Sequence, residues 1–117
     1  ATLVLNKHKI SSEWIKVPGV FEIPVTIVKN IESYEAFIAL GCVIKGETPH
    51  FDLISKATVN AIMDLSIKYK KPIGNGIIAC LNEKQGIERA DPNKKNKGGE
   101  AARAVLSVLG ILKDESK

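Results

Sequence analysis

The chain has 117 residues, 44% hydrophobic but only 5% aromatic, and its 17 basic and 13 acidic residues give a formal charge of +4. One domain over residues 1–117 is expected, with a core of Val, Ile, Leu and Ala. No apolar run reaches the ~18 residues of a membrane helix and no signal peptide opens the chain, so a cytoplasmic protein with no membrane partner is expected. The mild positive charge suits anionic metabolites or RNA and decides between neither. Lys94-Lys95-Asn96-Lys97 carries much of it without an aromatic platform, so it reads as a solvated loop and no nucleic-acid partner is expected. Cys42 and Cys80 both lie in apolar, strand-like runs and are expected as buried, reduced thiols.

The chain alternates strands and helices. Ala1 to Lys9 reads as the end of an amphipathic helix, and Trp14 to Val17 as a short strand ending at Pro18-Gly19. Phe21 to Val28 follows as a helix with Pro24 near its start, then Tyr34 to Leu40 as a second strand. Pro49 to Lys70 is a long helix. Ile54, Ala57, Ala61, Ile62 and Leu65 make one apolar stripe, which Phe51, Val59, Met63 and Ile67 widen beyond what one sheet face needs, so a second subunit is expected against it. Pro72 to Leu81 is a third strand, where Gly74-Asn75-Gly76 suggests a bulge or a close backbone approach. Glu83 to Arg89 and Lys97 to Leu112 complete the pattern as helices. Such alternation predicts a parallel sheet covered on both faces, with ligand sites at the carboxyl ends of its strands.

The segment from Gly41 to Asp52 concentrates the chemistry. Gly41 and Gly46 permit tight turns or close ligand approach, Thr48 fits an N-cap and Pro49 the first helical position. The amides around Gly46 to His50 would then form an anion site at a helix start. The positive end of that helix would favour a neutral His50, able to accept or donate a proton. The same arrangement is also how many α/β proteins simply turn a corner. No Gly-Lys-Ser/Thr follows Gly46, so this is not a Walker loop, and no arginine follows Cys42 in the loop as a cysteine phosphatase requires.

Four ordered stretches carry a resemblance: Val17-Pro18-Gly19-Val20-Phe21-Glu22-Ile23-Pro24, then Ala39 to Asp52, then Pro72-Ile73-Gly74-Asn75-Gly76-Ile77, then Glu88-Arg89-Ala90 with Asn96-Lys97-Gly98-Gly99-Glu100-Ala101-Ala102. Together they resemble the 6,7-dimethyl-8-ribityllumazine synthase family. The resemblance implies a three-layer αβα sandwich with a mostly parallel sheet in flavodoxin-like order. It implies condensation of 5-amino-6-ribitylaminouracil with 3,4-dihydroxy-2-butanone 4-phosphate in riboflavin biosynthesis, releasing phosphate and water, with no metal and no redox cofactor.

Site residues follow from the same resemblance. Phe21 and Glu22 would lie against the ribitylaminouracil, Cys42 would belong to the substrate-binding segment, and the Val43-Ile44 backbone would meet the pyrimidine edge. Gly46, Glu47 and Thr48 would form the phosphate end through amides and the Thr hydroxyl, with the Glu47 side chain turned away. His50 matches the proton-transfer residue, Arg89 the residue paired with phosphate, and Lys97 a position in the last loop. Asn75 matches a position that a neighbouring subunit places against the substrate ring, so sites between subunits of a pentamer, or of an icosahedral shell built from pentamers, are implied.

Family members begin with a further strand and an aromatic-bearing loop, and this chain departs from that pattern. An incomplete N-terminus is therefore expected, since a sheet without a central strand leaves neighbouring edges unpaired. Two other readings are a shell-forming homologue without turnover and a basic α/β RNA-binding protein.

Overall fold

In the computed structural model, residues 11–44, 50–80, 83–91 and 96–110 are described. A 3-10 turn, Val20–Glu22, leads directly into helix α1, Ile23–Lys29. Pro24 falls in the first helical turn, where its missing N–H has no intrahelical partner to lose. The Thr26 hydroxyl donates back to the Glu22 carbonyl at 2.8 Å, joining turn and helix. Ile23 and Ile27 are one turn apart on the buried face.

Strands β1, Phe37–Ile44, and β2, Ile73–Cys80, run parallel and in continuous register from Phe37 opposite Ile73 to Ile44 opposite Cys80. They are joined by helix α2, His50–Tyr69, as a parallel pair requires. Lys70 then takes a left-handed φ of 54°, which ends the helix. Helix α3, Glu83–Ala90, follows β2, and helix α4, Lys97–Val108, follows in turn. Asn96 caps α4, its side-chain oxygen accepting from the Gly99 amide at 3.1 Å. Its backbone is left-handed, a conformation asparagine tolerates better than most residues.

Two apolar layers hold the sheet. On one face Ile23, Ile27, Ile31, Ala39 and Ile62 are buried together, with Leu65, Tyr69, Ile73 and Ile77 packed around them. On the other, Ala101, Ala102, Val105 and Leu106 of α4 are buried beneath the strands. Each fully buried Leu, Ile or Val contributes about 1.5–3 kcal/mol. The α/β architecture with a parallel sheet between helical layers is thus the one expected from the alternating pattern.

Several local expectations are corrected. Trp14 to Val17 is not a strand; among the described residues it has no ladder partner, and a strand cannot exist without one. Gly41 is no turn, because β1 runs through it to Ile44. Its lack of a side chain serves packing instead: a Cβ there would stand 2.6 Å from Val20 Cγ1. Gly74-Asn75-Gly76 holds no bulge, since the register with β1 is unbroken. The close-approach alternative holds, with a Cβ on Gly74 falling 2.6 Å from the Ala101 carbonyl oxygen. Cys42 is exposed, because it faces away from the layer that buries Ala39 and the helix opposite does not cover it. The Ala1 to Lys9 helix and residues Gly46, Glu47, Thr48 and Pro49 lie outside the described residues.

Candidate active site

Parallel strands place their carboxyl ends at one edge of a sheet, and here β1 and β2 stop level with one another, Ile44 facing Cys80. Helix α2 begins at His50, within six residues of the end of β1, and α3 begins at Glu83, just past the end of β2. Two helix starts therefore stand at the edge where α/β proteins bind ligands. The backbone of His50 is the first residue of α2, consistent with a place in the first turn.

The 3-10 turn packs on the carboxyl half of β1 from the same face as α2. Val20 seats against Gly41, and a Cβ at Gly41 would also lie 3.8 Å from Ile23 Cδ1, so the turn presses onto the strand backbone. With Val20 turned inward, Phe21 is left 61% exposed. Phe21 is therefore not a core residue of this chain. Glu22 is half-buried, its Oε2 lying 3.2 Å from the position a Cβ would take on Gly19. That folded-back carboxylate is compatible with Gly19 and crowded by any larger residue. Exposed Cys42 and half-buried Val43 occupy the neighbouring stretch of β1.

Arg89 lies in the last turn of α3 and is half-buried. Lys97 opens α4 on the surface, paired with Glu100 at 3.3 Å, an exposed contact of one helical turn that contributes about 0.3–0.5 kcal/mol. A backbone bond from the Asn96 amide to the Asp91 carbonyl, 3.0 Å, closes the connection between the two helices. That bond fixes where α4 departs relative to Arg89. A candidate Lys97 role competes with its Glu100 partner.

Asn75 is not brought to this edge. It sits near the start of β2 opposite Ala39, five positions before Cys80, which is ~17 Å along a strand. The side chain is exposed and its Oδ1 accepts from the Ile77 amide at 3.1 Å. Phe21, Glu22, Cys42 and Val43 are thus grouped at the carboxyl half of β1, His50 begins the following helix, and Asn75 faces elsewhere.

Sequence reasoning missed the residues that set this arrangement. Val20 positions the turn by filling the space above Gly41. The Lys71 ammonium donates to the carbonyls of Ile31 and Tyr34, the latter at 2.9 Å, tying the end of α1 to the start of β2. Val20 lies within the first of the four stretches but was given no role, since it reads as a generic apolar residue, and Lys71 reads as half of a Lys-Lys pair. Among the described residues no group of His, Cys, Asp and Glu could hold a metal ion. No helix among them is long and apolar enough to cross a membrane.

The family model described as 6,7-dimethyl-8-ribityllumazine synthase matches residues 1–113. A protein of that name from Bartonella tribocorum is 44% identical over 116 residues, covering 97% of this chain and 77% of the relative. The 6,7-dimethyl-8-ribityllumazine synthase 1 of Rhodopseudomonas palustris is 46% identical over 110 residues, 88% of this chain and 68% of the relative. A 6,7-dimethyl-8-ribityllumazine synthase from Nitrobacter hamburgensis is 39% identical over 124 residues, 100% of this chain and 76% of the relative.

Proposed function

Because this chain belongs to the 6,7-dimethyl-8-ribityllumazine synthase family, we propose that it is the transferase that condenses 5-amino-6-ribitylaminouracil with 3,4-dihydroxy-2-butanone 4-phosphate. The reaction forms an imine, expels inorganic phosphate and water, and closes the second ring. It belongs to riboflavin biosynthesis, and its polar, phosphorylated reactants suit a cytoplasmic enzyme. The observation that carries the reading is the level ending of β1 and β2, with α2 opening at His50 and packing along its length against the Val20–Glu22 turn.

In this reading Phe21 covers one face of the pyrimidine and Glu22 accepts from ribityl hydroxyls, while Cys42 and the Val43-Ile44 backbone line its edge. Main-chain amides at Gly46, Glu47 and Thr48, with the Thr48 hydroxyl, receive the phosphate at the start of α2. Arg89 holds two phosphate oxygens at once and Lys97 adds charge from the head of α4. His50 moves the protons that imine formation and ring closure require. Holding the amine against the ketone lowers the barrier by orientation before any proton moves.

Asn75, remote from its own subunit's strand ends, contacts the substrate ring of a neighbour. The oligomer is a pentamer, or a shell of pentamers, with each site shared between adjacent subunits. Exposed Leu53, Met63 and Ile67 on α2 supply an apolar face for that contact.

The test is to supply both substrates and follow phosphate release and lumazine absorbance together. Equal amounts of the two products are expected. Phosphate release without lumazine, or neither product from a folded oligomer, would reject the assignment.

A further inference from the structure

Among the asparagines of this chain only Asn75 is followed by glycine. An asparagine side chain is open to attack by the main-chain nitrogen of the next residue, and a following residue without Cβ leaves that ring closure unhindered. Asn75 is exposed near the start of β2, and its Oδ1 accepts from the Ile77 amide at 3.1 Å. A donor on that oxygen draws electrons from Cγ, the atom that an attacking nitrogen must reach. The electrophile is therefore prepared.

The nucleophile is not. The Phe37 amide donates to the Pro72 carbonyl, so in this parallel register Phe37 and Ala39 turn their polar groups toward β2, and the Gly76 N–H is directed at the Ala39 carbonyl. Ile77, next along, directs its N–H outward, as its bond to Asn75 requires. Gly76 is also buried, in so little space that a Cβ there would stand 2.6 Å from Leu40 Cδ2, 3.0 Å from the Ala39 carbonyl oxygen and 3.5 Å from Ala101 Cβ. Ring closure requires the peptide between Asn75 and Gly76 to rotate about the Asn75 Cα–C bond until its nitrogen meets Cγ. That rotation takes Gly76 out of the ladder and has no room while β1 and α4 are packed on β2.

We propose that Asn75-Gly76 is a site of spontaneous deamidation which the β1–β2 ladder holds closed, so that it reacts when β2 opens. Hydroxide removes the Gly76 amide proton, the nitrogen attacks Asn75 Cγ, and ammonia leaves as a succinimide forms across the two residues. Water then opens the ring at either carbonyl, giving aspartate or isoaspartate at position 75. The net change is hydrolysis of one side-chain amide, with a negative charge gained and no reactant besides water. The isoaspartyl product also routes the main chain through the former side-chain carbons. Because strand side chains alternate with a period of two, that longer link shifts Gly76, Ile77 and Ile78 out of register with Leu40, Gly41 and Cys42. A chain that has opened and reacted in this way cannot re-form the carboxyl half of β2, so the modification is a one-way record of opening.

The reaction involves no condensation chemistry, so this proposal and the enzymatic assignment fail separately. The 117-residue chain is incubated at mildly alkaline pH without denaturant, at graded urea concentrations and fully unfolded. Isoaspartate content and the mass of the peptide holding Asn75 are followed with time, and circular dichroism gives the unfolded fraction. In the unfolded chain Asn75 should react ahead of every other asparagine. Without urea its reaction should be at least about tenfold slower, and between these limits the rate should rise with the unfolded fraction. Asn75→Gln should remove the signal under all conditions, since the longer side chain must close a larger ring. Another asparagine reacting first in the unfolded chain overturns the proposal, as do equal rates in the folded and unfolded chains. A folded chain that reacts faster than the unfolded one also overturns it, because the Ile77 amide then activates Asn75 more than the ladder restrains Gly76.

Discussion

Gly74 and the carbonyl of Ala101 meet so closely that a Cβ on Gly74 would stand 2.6 Å from the carbonyl oxygen and 2.8 Å from Val105 Cγ2. Strand β2 and helix α4 therefore touch backbone to backbone. Neither can give way, since Ala101 is buried and Gly74 is held in the ladder opposite Ile38. Gly74→Ala should destabilise the chain by about 1–3 kcal/mol, seen as a lower urea midpoint. An unchanged midpoint would mean that α4 is free to shift.

Lys71 supplies a different kind of constraint. Its ammonium satisfies two main-chain carbonyls, at Ile31 and Tyr34, where the chain leaves α1 for β1. Lys71→Met preserves the aliphatic stem but leaves both oxygens without this donor, at a cost of about 1.5–3 kcal/mol. Chemical denaturation should report that loss, and retention of full stability would show that water replaces the ammonium.

Thr58 works against stability. It is only 1% exposed on α2, and among the described residues its hydroxyl has no hydrogen-bond partner. Thr58→Val keeps the branched shape and removes the stranded polar group. A gain of about 1 kcal/mol is expected from unfolding curves; a loss would reveal a hidden partner for the hydroxyl.

Arg89→Ala should raise the KM for the phosphorylated ketone far more than that for the pyrimidine. Steady-state kinetics with each substrate varied in turn separates the two, and equal effects would contradict the phosphate role. For His50→Ala, a rate lowered about tenfold to a thousandfold is expected, with substrate positioning supplying the residual catalysis. A pH–rate profile identical to that of the parent would remove His50 from proton transfer.

The proposed sharing of sites between subunits makes a mixing prediction. Asn75→Arg should block a neighbour's site and His50→Ala disable its own. Oligomers re-formed from both variants should recover part of the activity, because some sites then draw His50 and Asn75 from chains intact at each position. Absence of any recovery, with mixing verified by mass, would place Asn75 and His50 in one subunit's site. Met63→Glu and Ile67→Glu on the exposed face of α2 should reduce the sedimenting particle to smaller species.

Legibility differed by element. Helix α2 could be read from its apolar spacing and the order of strands and helices from their alternation, because both patterns are local consequences of backbone period. The four motifs were enough to indicate the family. Trp14 to Val17, by contrast, has strand composition and no strand, since pairing depends on what lies beside it. Gly41 looked like a turn and proved to be the seat of Val20, a contact between segments some twenty residues apart that no local window contains.

What the sequence determined by itself is which residue types are available at which spacing: the helix-starting His50, the acidic Glu22, the basic Arg89 and the aliphatic layers. Only the tertiary structure decided that β1 continues through Gly41, that Cys42 is exposed, and that Asn75 stands ~17 Å from the end of its strand. The reason is physical. Spacing fixes the direction of a side chain within its own element, whereas exposure, strand pairing and close approach are properties of two elements together.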